Sequence, residues 1–168
     1  MKNFRMLTDD LLITTVSNSP FFISGLFHKK FGHPAPDHGH GVICFYRNSW
    51  DHFMPLCFTN FLQYSEVILV GGAMTDGSVF RLMPKETRGV IKQLGGIYYQ
   101  VLLFAFEYFK DDCEAFFGHA GDKRAYEIDL KAGFTQTPYQ YLIANFHKPI
   151  SKERRIELIE KIHAIGPF

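Results

Sequence analysis

Residues 66–74, Glu-Val-Ile-Leu-Val-Gly-Gly-Ala-Met, carry no charge after the first position. An apolar run of this length, closed by Thr75-Asp-Gly77, is what a strand buried on both faces requires. A strand of that kind needs other layers over both of its sides. The expected fold is α/β (α+β-like), a mixed, mainly antiparallel central sheet flanked by helices, in one domain spanning residues 1–168.

The rest of the chain supplies those layers. Residues 11–16, 42–47, 53–63 and 114–118 read as further strands. Residues 17–20 read as a turn. Residues 21–31 are apolar with a basic end, and periodicity does not separate helix from strand there. Residues 32–41 hold two prolines and three glycines, a composition that forbids regular structure. Residues 78–110 form the longest helical region, with Pro84 at a first turn and Gly95-Gly96 interrupting it. Residues 97–109 are apolar almost all round, as in a buried helix. Residues 151–165 form a last helix, capped by Ser151 and stopped by Gly166-Pro167.

Residues 121–146 are the most specific stretch. Asp122 suits a helix N-cap, and Ala125, Ile128 and residues 130–132 are apolar at helical spacing. Gly133 stands where a left-handed C-cap is needed. Phe134 returns to the core, and residues 139–146 read as a strand.

That spacing resembles the late part of the GNAT-type acyl-CoA N-acyltransferase fold. Asp122 takes the place of the family's Asn, Ala125 of its Ala, Ile128 of its Leu, Lys131 of its Lys, and Gly133-Phe134 of its Gly-Phe pair. Asp129 fills the place of a Tyr that protonates the leaving CoA thiolate in many members. The resemblance covers roughly residues 42–146 in topology and 122–134 in motif. It implies acetyl-CoA or another acyl-CoA as co-substrate, lying in a V-shaped gap between the strand of residues 66–74 and that of residues 114–118. It implies backbone donors on Val70, Gly71, Gly72 and Ala73 for the thioester and pantetheine, with Asp122 as a further cofactor-binding residue. It implies a phosphate loop at Gly95-Gly96, where a helix begins, although the family's Arg/Gln-x-x-Gly-x-Gly/Ala pattern has no clean copy here. His119 or Glu66 would be the base that deprotonates an amine, and Tyr126 the acid. The acceptor would be a small-molecule amine or a peptide amine.

Two other readings stand beside this one. A chain of this fold that has lost catalysis would serve as a binding or interaction module. His33, Asp37, His38 and His40, with His28 upstream, could furnish metal ligands from one loop. A Cys113–His119 hydrolase is disfavoured, because Asp111-Asp112 would raise the thiol pKa.

Bulk properties narrow the field further. Eighteen basic and seventeen acidic residues leave a net charge of +1, which makes no electrostatic case for nucleic acid or an anionic membrane. Aromatic residues reach 16%, enough for a bulky core, an apolar cleft or a homodimer interface. Cys44, Cys57 and Cys113 show no close spacing, so reduced thiols in a cytoplasmic protein are expected. The first ten residues carry charges and no long apolar stretch, so no secretory signal is expected.

Overall fold

A computed structural model describes residues 3–168; Met1 and Lys2, part of the segment read for a secretory signal, lie outside them. Eight strands form one sheet: β1 (Phe4–Thr8), β2 (Leu11–Val16), β3 (His40–Ser49), β4 (His52–Tyr64), β5 (Val67–Thr75), β6 (Ala115–His119), β7 (Thr135–Gln136) and β8 (Leu142–Asn145). Their order is β1-β2-β3-β4-β5-β6-β8-β7. Every pair is antiparallel except β5 with β6. Six helices cover the sheet: α1 (Ser19–Phe31), α2 (Gly77–Leu82), α3 (Lys85–Gln93), α4 (Ile97–Phe109), α5 (Lys123–Ala132) and α6 (Lys152–Ala164). This is the expected mixed, mainly antiparallel sheet, and the helices supply the layers that the apolar run of β5 demands.

Both faces of β5 are buried. Ile68 and Val70 pack with Val101, Leu102 and Ala105 of α4 and with Ala132 of α5. Val67 and Leu69 point the other way, into a cluster with Phe117, Leu142 and Leu158 and Ile162 of α6. α1 covers β3 and β4 through Ile23 and Phe27 against Ile43 and Phe58. Side-chain alternation along β5 thus splits one run of apolar residues between two layers.

The structure decides or changes several local expectations. Residues 21–31, open between helix and strand, belong to α1. That helix begins at Ser19 inside the expected turn, because the Asn18 side chain accepts from the Phe21 N–H (3.3 Å) and Pro20 stands in the first turn. Gly32 (φ +74°) closes it, with its N–H on the His28 carbonyl. Pro84 is the cap residue of α3 rather than its first turn. The strand expected from residue 139 starts at Leu142, because residues 137–141 form a loop held by Thr137 and by Tyr141 at φ +67°. The short β1 and β7 at the sheet's two edges escaped the sequence reading.

Candidate active site

The parallel pair β5–β6 is joined by the crossover through α2, α3 and α4. β6 pairs with β5 only from Val67↔Ala115 to Val70↔Gly118. Beyond Val70, β5 keeps its partner β4 but, among the described residues, has none on the β6 side. At the same point β5 departs from a regular ladder with β4. Asn60 faces Gly71 and Phe58 faces Met74, so β5 uses three residues where β4 uses two. The extra residue is accommodated at Gly72, at φ +65°, a conformation that glycine adopts without the Cβ penalty. Such a bulge bends the strand. β6 ends at His119, one residue past the last pair, so a gap is left whose near edge carries the backbone of Gly71, Gly72 and Ala73, unpaired on that side.

α4 returns from the far end of β5 to the start of β6, so its N-terminus lies at the open end of this gap. The first intrahelical bond runs from the Gln100 N–H to the Gly96 carbonyl (3.2 Å). The N–H groups of Ile97, Tyr98 and Tyr99 precede it and have no intrahelical acceptor. Among the described residues no side chain caps them. Gly95 and Gly96 play a different part from the one expected of a phosphate loop. Their own N–H groups are bound to the carbonyls of Lys92 (3.1 Å) and Ile91 (2.9 Å), closing α3. Both hold positive φ (+93° and +103°), and a Cβ on Gly96 would meet nothing within 4 Å. The glycines therefore set the turn and leave open space, while α4 supplies the donors and the positive end of its dipole. The Lys131 ammonium, 4.7 Å from the Tyr99 ring centroid, lies beside this turn.

His119 ends β6 one residue past Gly118, so it stands where the gap opens. Its pKa is lowered by burial and by the neighbouring His163, which leaves the imidazole neutral and able to accept a proton at neutral pH. Tyr126, on α5, receives a hydrogen bond from Gln136 Nε2 on its hydroxyl. Both line a concavity of about 540 Å³ that starts at Ala120, next to His119, and continues along Thr137, Tyr139 and Tyr141. Asp122 lines it too, but its carboxylate accepts from the Ala125 N–H (2.8 Å) and is the N-cap of α5. That use engages the carboxylate within α5 rather than toward the cofactor that the resemblance implies for it.

Glu66 must be withdrawn as a base. It precedes Val67 at the closed end of the β5–β6 pair, about 13 Å along the strand from Val70. Its carboxylate is bound by Lys161 (2.9 Å), Arg154 (3.2 Å) and the Ser65 hydroxyl. The Ser65 hydrogen bond and then Lys161 hold its pKa down to about 2. A carboxylate so engaged and so acidic is a poor proton acceptor.

The alternative constellations do not assemble. His33 Nδ1 bonds the Pro34 carbonyl (3.0 Å), and His38 meets only Asp37 (3.3 Å). Among the described residues no three His, Cys, Asp or Glu side chains gather as metal ligands. Cys113 precedes β6, at the end of that strand opposite His119, its thiol pushed up to about 12 chiefly by burial.

Three residues of this region were missed. Tyr98 donates its hydroxyl to Asp129 Oδ1 (2.8 Å), tying α4 to α5. A phenol in an apolar helix needs such a partner, which is the signal that could have flagged it. Asn60, opposite Gly71, is buried with Oδ1 unpartnered; an Asn inside an apolar strand run is the corresponding sign. Phe168 packs edge-on against His119, with ring centroids 5.5 Å apart. Nothing in its local sequence marks it.

No protein-family model and no curated protein matches the sequence. Solved structures do match its fold. A ribosomal-protein-S5-alanine acetyltransferase from Vibrio fischeri superposes with a TM-score of 0.56 at 10% identity, over 88% of this chain and 100% of that one. A protein of Pyrococcus horikoshii assigned as an acetyltransferase superposes with a TM-score of 0.54 at 12% identity. That match covers 79% of this chain and 46% of the Pyrococcus protein, so the chain spans about half its length. At these identities the likeness is one of fold: this chain has the fold of GNAT-type acyltransferases.

Proposed function

We propose that the protein transfers an acyl group, most simply acetyl, from acyl-CoA to an amine. The observation that carries this reading is the unpaired edge of β5 from Gly71 to Ala73, at the centre of an otherwise paired sheet, with a helix N-terminus at its mouth. Unpaired strand groups seek hydrogen bonds. A pantetheine arm has amides of its own to meet them, and the N–H groups of Ile97, Tyr98 and Tyr99 with Lys131 suit the pyrophosphate. The fold shared with acetyltransferases supports the same assignment.

In this reading the backbone of Val70, Gly71, Gly72 and Ala73 positions the thioester, and its N–H groups polarise the carbonyl oxygen. The amine nitrogen attacks the carbonyl carbon; the new C–N bond forms as the C–S bond breaks. His119 takes the proton lost by nitrogen. Tyr126 protonates the departing thiolate. The acceptor, a small-molecule or peptide amine, reaches the thioester from the tyrosine-lined concavity beside His119. Three free, buried cysteines suit a cytoplasmic setting. No helix among the described residues is long and apolar enough to cross a membrane.

A second reading draws on a specific observation. The inward-turned N–H groups of Gly95 and Gly96 leave fewer donors for a phosphate than a loop of free amides, which favours a domain of this fold without catalysis. Titration with acetyl-CoA under thermal unfolding separates the two. At one hundred times its Kd, acetyl-CoA should stabilise the fold by about 2.7 kcal/mol, and Lys131→Glu, which puts a carboxylate in place of the cation beside the start of α4, should abolish the gain. No shift at millimolar acetyl-CoA would remove the transferase reading.

A further inference from the structure

α6 lies over the closed half of the β5–β6 pair, through Leu158 and Ile162. It ends with the N–H groups of Ile165 and Gly166 on the carbonyls of Ile162 and His163 (3.2 Å each). Gly166 then takes φ +79°, and Pro167 stiffens the turn that follows. The chain is thereby redirected across the sheet to Phe168. The Phe168 carbonyl oxygen lies 3.5 Å from where a Cβ on Gly71 would be, over the first unpaired residue of β5. Its ring meets His119, at the end of β6, edge to face at 85°. One residue thus touches both banks of the gap where the strands part. It is held only from one side, for Phe168 is 37% exposed. A side chain so placed roofs the site without being built into the core.

We propose that Gly166-Pro167-Phe168 is a strap that closes the start of the gap and competes with the acyl-pantetheine arm, so that the site is held shut until acyl-CoA displaces it. This inference rests on the acyl-CoA reading above. Displacement costs acyl-CoA the contacts of one aromatic pair, which sets the size of the effect. A ligand that ends before the pantetheine should not meet the strap at all.

The test is calorimetric titration of the wild type and Phe168→Ala with two probes, acetyl-CoA and adenosine 3′,5′-bisphosphate, which lacks the pantetheine arm. Phe168→Ala should bind acetyl-CoA about three- to tenfold tighter and the bisphosphate equally well, with Phe168→Leu between. Thermal unfolding of the free variants checks that both are folded, as the exposure of Phe168 leads one to expect. Equal acetyl-CoA affinity in wild type and variant overturns the strap and leaves the acyl-CoA reading standing. Tightening of both probes alike also overturns it, since the effect then lies outside the arm. Absence of acetyl-CoA binding in every variant overturns the strap and the acyl-CoA reading together.

Discussion

Asp129 is a carboxyl buried between α4 and α5, with the Tyr98 hydroxyl on one oxygen. Burial raises its pKa from 3.8 to about 6, and the Tyr98 hydrogen bond opposes the rise without cancelling it. The folded chain therefore holds this proton more tightly than the unfolded chain does. Stability is full below pH 3.8 as far as this group is concerned, and is lost as pH rises through about 6. A shift of that size is worth roughly 2–3 kcal/mol. Asp129→Asn keeps an oxygen for Tyr98 to bond and removes the charge. It should raise the midpoint of thermal unfolding at pH 7.5 by several degrees and leave it nearly unchanged at pH 4. Equal effects at both pH values would show that the carboxyl is solvated after all. This residue was visible in the sequence as an Asp at an aligned Tyr position. Its partner was not, because Tyr98 and Asp129 are 31 positions apart and only the packing of two helices brings them together.

The bulge in β5 is where an element acquires its use. Gly72 at φ +65° lets the strand bend beside the gap. A Cβ there would find ordinary contacts, 3.5 Å from the Phe27 ring, so Gly72→Ala is charged mainly with backbone strain. About 1–2 kcal/mol of stability should be lost. The variant should also bind acetyl-CoA more weakly than the wild type, because the bulge sets how the unpaired edge of β5 is presented to it. Calorimetric titration measures the binding and chemical denaturation the stability; unaltered binding with lowered stability would mean that binding does not depend on the bulge. Much at this scale was legible. β5 announced itself through nine residues without an interior charge, α4 through its apolar surface, and α5 through Asp122 and Gly133. The edge strands were not, since a strand of two or five residues with no fully buried side chain is too short for a period to stand out. α1 stayed ambiguous because its apolar residues lie all round a helix that is only partly covered: Phe21 is 79% exposed while Ile23 is buried.

Across the whole molecule, the two ends of the β5–β6 pair do different work. At the closed end, Arg154 bridges Glu66 and Glu114, which stand just before β5 and β6, and Lys161 adds a second cation to Glu66. α6 is thus clamped to both parallel strands by charges that lie 40 and 88 positions apart from Arg154 in sequence. That separation is why Glu66 read as a catalytic base: at the level of sequence it stood at the start of an arm of the V, with no sign of its partners. The structure predicts that Glu66 matters to folding and not to acyl-CoA. Its pKa, held down to about 2 by Ser65 and Lys161, means that its ion pairs contribute stability above the ordinary glutamate pKa of 4.5 and lose it as pH falls toward 2. Glu66→Gln should therefore melt about one to three degrees below the wild type at pH 7, a modest effect because exposed pairs are weak and screened by salt. The gap between the two proteins should narrow in 1 M salt and close as the pH falls through that window. Acetyl-CoA should bind both equally at pH 7, since the paired residues 67–70, about 10 Å of strand, separate residue 66 from the first unpaired backbone. Loss of binding in Glu66→Gln with an unchanged melting curve would reverse the assignment and return Glu66 to the site.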